Sequence, residues 1–450
     1  MKKIHFLFLF SIPWISQAQT RNIERERLDV ARQMENSIQT ELLNKWYPKS
    51  MDTTYGGFIS TYTYDFKPIG KQDKFIVTQS RHIWTTAKAS ALYPEKTYYL
   101  ECAGNGYRFL RDKMWDKTYG GFYNLVTRDG KNISNPLSPK DAYGNAFAIY
   151  ALAAYYKVSQ DTGALSLAKK TFFWLEKYAH DSINQGYYQH LKRDGTKLLR
   201  EPSFPIGSEW GYKDQNSSIH LLEALTELYK VWPDKLVGIR LKEMLYLIRD
   251  KITSKKGYLN LFFTPNWKPV SFRDSSEAFI LRYKNLDHVS FGHDVETAFL
   301  MLEASEALGL EDEKITWLAG KKMVNHALLN GWDNTLGGFY DEGFYYKNKK
   351  GISILVSSKN WWAQAEGLNT LLLMANHFPE DPMHYYKKFT LQWTYIQTYL
   401  IDHVQGDWYE EGLDKEPERK TALKGHIWKS TYHNFRSLAA CVKQLRSMRN

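Results

Sequence analysis

One phrase recurs in this chain almost unchanged: Asp52-Thr53-Thr54-Tyr55-Gly56-Gly57-Phe58, Asp116-Lys117-Thr118-Tyr119-Gly120-Gly121-Phe122 and Asp333-Asn334-Thr335-Leu336-Gly337-Gly338-Phe339. Looser copies stand at Asp181 with Gly186-Tyr187-Tyr188, at Gly257-Tyr258, and at Asp402 with Gly406-Asp407-Trp408. Positions 57, 121, 186, 257, 338 and 407 follow one another at intervals of 64 to 81 residues, room for two helices and their loops. An Asp that leaves a helix for a turn, glycines able to take positive φ, and an aromatic that folds back onto the core make a helix-to-loop connector. Length alone, 450 residues, suggests about three domains. Six copies of one connector suggest a single repeat architecture instead.

The stretches between connectors alternate in character. Those just before a connector, 23–46, 165–178, 237–249 and 384–400, carry many charges and one apolar stripe, the pattern of a helix with one face in solvent. Those just after, 146–156, 295–308 and 361–374, are apolar almost all round, as an enclosed helix must be. Six outer helices alternating with six enclosed ones predict an all-α (α/α)6 barrel of twelve helices in two concentric rings. The alternative is an open helical solenoid; the count of six favours closure. The barrel is expected to occupy residues 19–450, with an insert at 253–290 overhanging one mouth.

Polar residues gather near the start of each enclosed stretch: Arg81 and Trp84; Asp141, Tyr143 and Asn145; Asn216 and His220; His293, Asp294 and Glu296; Trp361, Trp362, Gln364 and Glu366; Trp428, Tyr432, His433 and Arg436. In a closed ring the enclosed helices run parallel, so these first turns meet at one mouth, where helix N-termini favour a developing negative charge. Aromatic faces beside hydrogen-bonding groups suit a sugar, and 15% of the chain is aromatic. Blander roles compete: Trp84, Tyr143 and Trp361 as core, Asp141 as a helix cap, Glu366 as the partner of an arginine. His293 and Glu296, three apart on one face, are read as a carboxylate orienting an imidazole. The same spacing is half a metal site, but the other histidines are read as standing alone on separate helices, and no metal or other cofactor is expected.

The segments Asn216-Ser217-Ser218-Ile219-His220-Leu221-Leu222-Glu223-Ala224, Phe291-Gly292-His293-Asp294-Val295-Glu296, Lys359-Asn360-Trp361-Trp362-Ala363-Gln364-Ala365-Glu366 and Trp428-Lys429-Ser430-Thr431-Tyr432-His433-Asn434-Phe435-Arg436 resemble the N-acylglucosamine 2-epimerase superfamily, in particular its cellobiose 2-epimerase branch. Arg81 with Trp84 and the segment from Tyr143 to Phe147 fit the same pattern. The resemblance implies an (α/α)6 barrel that epimerises the reducing-end sugar of β-1,4-linked disaccharides such as cellobiose, mannobiose or lactose at C2, without metal or nicotinamide. It implies His293 and His433 as the acid/base pair, with Glu296 supporting His293. It implies Arg81, Tyr143, Asn216 and His220 as contacts to the reacting sugar, and Trp361 and Trp428 as stacking surfaces; Glu366 is placed with these binding residues. His220 is counted with the catalytic group because, with Arg81, it is suited to stabilise an enediolate.

Rival functions remain open at this level. A glycoside hydrolase on the same barrel needs two opposed carboxylates, and Asp141, Asp294, Glu296 and Glu366 are available. Aldose–ketose isomerisation, action on N-acylglucosamine, and non-catalytic sugar binding are the others.

Residues 1 to 18 read as an export signal: Lys2 and Lys3, an apolar run from Ile4 to Ile15, and Ser16-Gln17-Ala18 as a cleavage site. A periplasmic or secreted protein without a membrane span is expected. Cys102 and Cys441 are read as separate buried thiols. The formal net charge of +11 is scattered, with no block of like charge, so no nucleic-acid partner is expected. A small disaccharide is the expected ligand, and a monomer the expected state.

Overall fold

The computed structural model describes residues 12–311 and 313–447. Most of the segment read as an export signal, residues 1–11, lies outside them. No helix among the described residues is long and apolar enough to cross a membrane.

Twelve helices build the barrel, numbered here in chain order. The outer ones are α1 (Ile12–Asn36), α3 (Tyr98–Phe109), α5 (Thr162–Tyr178), α7 (Lys235–Leu247), α9 (Glu313–Asn330) and α11 (Tyr385–Tyr395). The inner ones are α2 (Ile76–Leu92), α4 (Ala142–Ser159), α6 (Gln215–Val231), α8 (Phe291–Leu308), α10 (Trp361–His377) and α12 (Tyr432–Ser447). Each inner helix packs on the next, α2 on α4, α4 on α6, α6 on α8, α8 on α10 and α10 on α12, and α12 returns to α2. That last contact closes the ring, so the open solenoid is set aside. The apolar inner stretches are enclosed as their composition requires: along α4, every residue from Ala142 to Tyr155 is buried.

The connectors do more than turn the chain. In each, the aromatic after the glycines is buried, as at Phe58, Phe122, Tyr187, Phe339 and Trp408. Gly57 needs its φ of +69°, and a Cβ there would meet Gln79 Oε1 at 2.6 Å. The connector Asp is an anchor as well as a turn residue: Asp52 accepts from Thr54 and Tyr55 amides, 3.1 and 3.2 Å, and from Lys74 Nζ at 3.0 Å. The same buried pair recurs as Asp116–Lys140, Asp181–Lys213, Asp333–Lys359 and Asp402–Lys424, with Asp407–Lys429 beside the last. Five residues after the lysine, an inner-helix amide clamps the connector aromatic: Gln79 to both the amide and carbonyl of Phe58, Asn145 to Phe122 N–H, Gln364 to both groups of Phe339.

The fourth unit departs from this in a self-consistent way. Val289 stands where the other units have lysine, and the connector before it, ending at Gly257-Tyr258, has no Asp. Losing both partners together avoids the uncompensated charge that losing one would leave. Asp294 takes the amide's place, accepting from Leu259 N–H at 2.9 Å.

Short antiparallel pairs stitch each inner-helix start to the following connector: Lys74–Phe75 with Leu125–Val126, Lys140–Asp141 with His190–Leu191, Lys213–Asp214 with Phe262–Phe263, and Val289–Ser290 with Glu342–Phe344. Single bridges Asn360–Glu411 and Tyr62–Gly425 continue the series. This rim holds the six helix starts together at one mouth. Insert 253–290 contributes two of these strands, Phe262–Phe263 and Val289–Ser290, and a short helix, Glu277–Arg282. Cys102 and Cys441 are free buried thiols.

Candidate active site

Residues on the first turn of an inner helix and those three to four further on share the face turned to the barrel axis. The mouth therefore opens on two tiers. The upper holds Tyr143, Asn216, His293, Trp362 and His433; the lower, one turn deeper, holds Arg81, His220, Glu296, Glu366 and Arg436. A cavity of about 180 Å³ is lined by Arg81, Tyr143, Asn216, His220, His293, Glu296, Trp361, Trp362, Trp428 and His433. Every site residue named from the sequence reaches this lining except Glu366, which lies directly behind His433. Trp84 is core, stacked on Tyr150 at 5.3 Å.

His293 and His433 stand on α8 and α12, the helices flanking α10, and Trp362 of α10 sits between them, its ring centroid 4.6 Å from His293 and 5.9 Å from His433. Sequence alone assigns Trp362 no role of its own; its place between the imidazoles gives it one, and its position beside Trp361 at a helix start was the available signal. Arg81 is held by Trp428, whose carbonyl accepts from Nη1 at 2.9 Å, and by the faces of Phe147 and Tyr432. Trp428 itself is 46% exposed at the rim, edge-on to Phe75.

The partners of the histidines differ from those expected. Nδ1 of His293 is 2.9 Å from Ser290 Oγ, so Glu296 does not orient it. Ser290 occupies the cap position of α8 without bonding its backbone, and spends its hydroxyl on the imidazole. Glu296 reaches instead across the axis to Arg436 Nη2 at 2.5 Å, with His433 Nδ1 4.0 Å away. His433 Nδ1–H donates to Glu366 at 2.7 Å. His220 does not stand alone either: its Nδ1–H donates to Glu223, three residues on, at 2.9 Å. His220-Leu221-Leu222-Glu223 carries the same His-x-x-Glu spacing as the His293 segment, so this pair was visible in the sequence.

Burial governs the charge states. It pushes His293 down to about 3, helped by the neighbouring His220, His288 and His433. Burial, then the Arg81 cation, holds His433 well below the usual imidazole range. Both rings are neutral near pH 7, and with Nδ1 of His433 engaged, its Nε2 is the basic atom. Burial would raise Glu223, but Arg436 and His220 overcome it and bring the carboxyl to about 2. Burial raises Glu366, against the pull of Arg436.

Donor atoms of Glu296, Glu366 and His433 lie within 4.8 Å of one another, a spacing that a metal ion could use. Arg436 already bonds both carboxylates, at 2.5 and 2.7 Å, so a guanidinium supplies the positive charge there. Asp141 caps α4 through Gly144 N–H at 2.6 Å, and Asp294 faces Leu259 and His326 rather than the cavity.

A profile of the N-acylglucosamine 2-epimerase (GlcNAc 2-epimerase) family matches residues 56–437. The chain is 30% identical over 409 residues to a cellobiose 2-epimerase of Ruminococcus albus, covering 90% of this chain and 97% of that protein. It is 26% identical to that of Bacteroides fragilis, covering 92% and 98%. The solved cellobiose 2-epimerase of Spirochaeta thermophila superposes with a TM-score of 0.78 at 28% identity, over 96% of this chain and 99% of that one. With the closed ring and the histidine-lined mouth already in place, these matches show an isomerase-class enzyme, and the chain belongs to the N-acylglucosamine 2-epimerase family.

Proposed function

We propose that the protein epimerises the reducing-end sugar of a β-1,4-linked disaccharide at C2, by removing and returning the C2 proton through an enediolate. The observation that carries this reading is the pair of neutral imidazoles, His293 and His433, on either side of Trp362 in one cavity. Epimerisation needs an open-chain aldehyde, a base at C2 and a proton delivered to the opposite face. Two imidazoles reaching one carbon from separate helices meet that need. One takes the C2 proton; the other, carrying a proton drawn from solvent, returns one to the other face. Arg81 and the uncapped start of α2 supply positive charge for the enediolate oxygens. The exposed indole of Trp428 and the edge of Trp361 offer surfaces for a sugar ring.

A glycosidase needs two carboxylates facing the scissile bond. Among the described residues lining the cavity, Glu296 is the one carboxylate, and it is tied to Arg436. The names of the relatives support a disaccharide as substrate. The direct test is proton NMR of the purified protein with cellobiose, mannobiose or lactose in deuterated water. The C2 epimer, deuterated at C2, is expected. Free monosaccharide would mean hydrolysis, and a ketose without the epimer would mean isomerisation.

The pH dependence follows from the depressed imidazoles. A base whose pKa lies below the free-histidine value of about 6.5 stays unprotonated in mild acid. Exchange at C2, measured as kcat/KM, is therefore expected to be at least as fast at about pH 5.5 as at about pH 7. An acid limb centred at or above the free-histidine value would contradict the buried, neutral pair.

A further inference from the structure

Arg436 lies three residues beyond His433 on α12, 5% exposed and outside the cavity lining. Its guanidinium meets three buried carboxylates. Nη1 donates to Glu223; Nη2 donates to Glu296 at 2.5 Å and lies 2.7 Å from Glu366. Each carboxylate has a second attachment toward the cavity. Glu223 accepts from His220 Nδ1 at 2.9 Å and from the Tyr432 hydroxyl, Glu366 accepts from His433 Nδ1 at 2.7 Å, and Glu296 is itself part of the lining. Nη1 also donates to the Tyr432 hydroxyl, and the rings of Tyr432 and Phe299 lie 4.6 and 5.8 Å from the guanidinium.

The geometry points to Arg436 as the positioning residue that joins His220 and His433 into one unit, by keeping Glu223 and Glu366 as acceptors for their Nδ1 protons. Three carboxylates around one guanidinium carry excess negative charge, which offsets an imidazolium formed when a C2 proton is taken. A planar fork with five donors can serve three carboxylates at once; an ammonium on a flexible stem cannot. Without the fork, buried carboxylates take up protons. A protonated Glu366 would donate to His433 Nδ1, moving the ring proton to Nε2 and removing the lone pair that faces the sugar. Arg436 touches no substrate in this scheme; it acts through Glu366 and Glu223.

The rate consequence rests on the proposed C2 chemistry, whereas the tautomer consequence does not. Arg436→Lys keeps a positive charge and is the variant to examine, since Arg436→Met would strand three carboxylates and put folding at risk. Nitrogen-15 NMR of the histidine rings in the whole ligand-free protein is expected to show Nδ1–H on His220 and His433 in the wild type, and Nε2–H gaining in R436K. Deuterium exchange at C2 is expected to lose about 10²-fold in kcat with KM changed by less than about threefold. In a Glu366→Gln background the same change is expected to cost less in kcat than in the wild type, because the route through Glu366 to His433 is already cut and only the route through Glu223 to His220 remains. Unchanged tautomers in R436K, or an equal kcat loss in both backgrounds, would reduce Arg436 to a structural part. If the wild type exchanged no C2 proton, the epimerase reading would fail while the ring tautomers still decided the role of Arg436.

Discussion

His433→Ala is expected to lower deuterium incorporation at C2 by about 10²- to 10⁴-fold, the range attributable to a positioned acid/base group, while disaccharide binding persists. Binding persists because Arg81, Trp361 and Trp428 are held by contacts that do not involve the imidazole: Arg81 by the Trp428 carbonyl, Trp428 by Phe75. Folding should survive, since Glu366 retains Arg436 at 2.7 Å when its histidine is gone. Isotope exchange separates this from an ordinary loss of activity: a variant that binds cellobiose but leaves C2 protonated has lost the proton transfer itself. His293→Ala should behave in the same way. Exchange at the wild-type rate in either variant would sink the two-histidine scheme.

The second large effect concerns stability. Lys213→Met is expected to destabilise the fold by about 3–5 kcal/mol, the penalty for leaving one member of a buried ion pair uncompensated. Lys213 donates to Asp181 at 2.8 Å and to the Gln185 carbonyl at 2.8 Å, and both side chains of the pair are buried. Burial opposes ionisation of Asp181, but Lys213 and the local amides hold its carboxyl well below the ordinary carboxylate range. A carboxyl lowered on folding contributes stability above its unfolded value of about 3.9, and that contribution fades as pH falls toward the folded value. The deficit of the variant should therefore be full at neutral pH and shrink in acid, as Asp181 takes up a proton beside the methionine. The double variant Asp181→Asn/Lys213→Met should be milder than the single one, because neither charge is stranded. Chemical denaturation at two pH values measures all of this; a pH-independent deficit would show that lost packing, not charge, is responsible.

Lys213 also shows how the repeat is legible. It stands five residues before Ser218, as Lys74 stands before Gln79, Lys140 before Asn145, Lys359 before Gln364 and Lys429 before Asn434. That spacing lies in the open sequence, yet glycine and aromatic residues draw the eye first, because they mark the turn rather than what secures it. The first-turn positions of the site residues were equally legible: helical periodicity says which face Tyr143, His220, His293 and His433 present, and six parallel helices say that those faces meet.

Partner choice was not legible in this way. His-x-x-Glu spacing occurs at both His220 and His293, and only at His220 does the Glu pair with its own histidine. At His293 the carboxylate turns across the axis to an arginine 140 positions away in the chain, and a serine takes its place.

Periodicity and repeat count, then, determined from the sequence alone that outer and enclosed helices alternate six times, with histidines, carboxylates and indoles at the starts of the enclosed ones; the contact of α12 with α2 closed the ring. The tertiary structure decided which carboxylate serves which histidine, because residues from different helices converge on the same few ångströms of the axis. There the outcome is settled by competition for one buried guanidinium, and chain spacing carries no record of that competition.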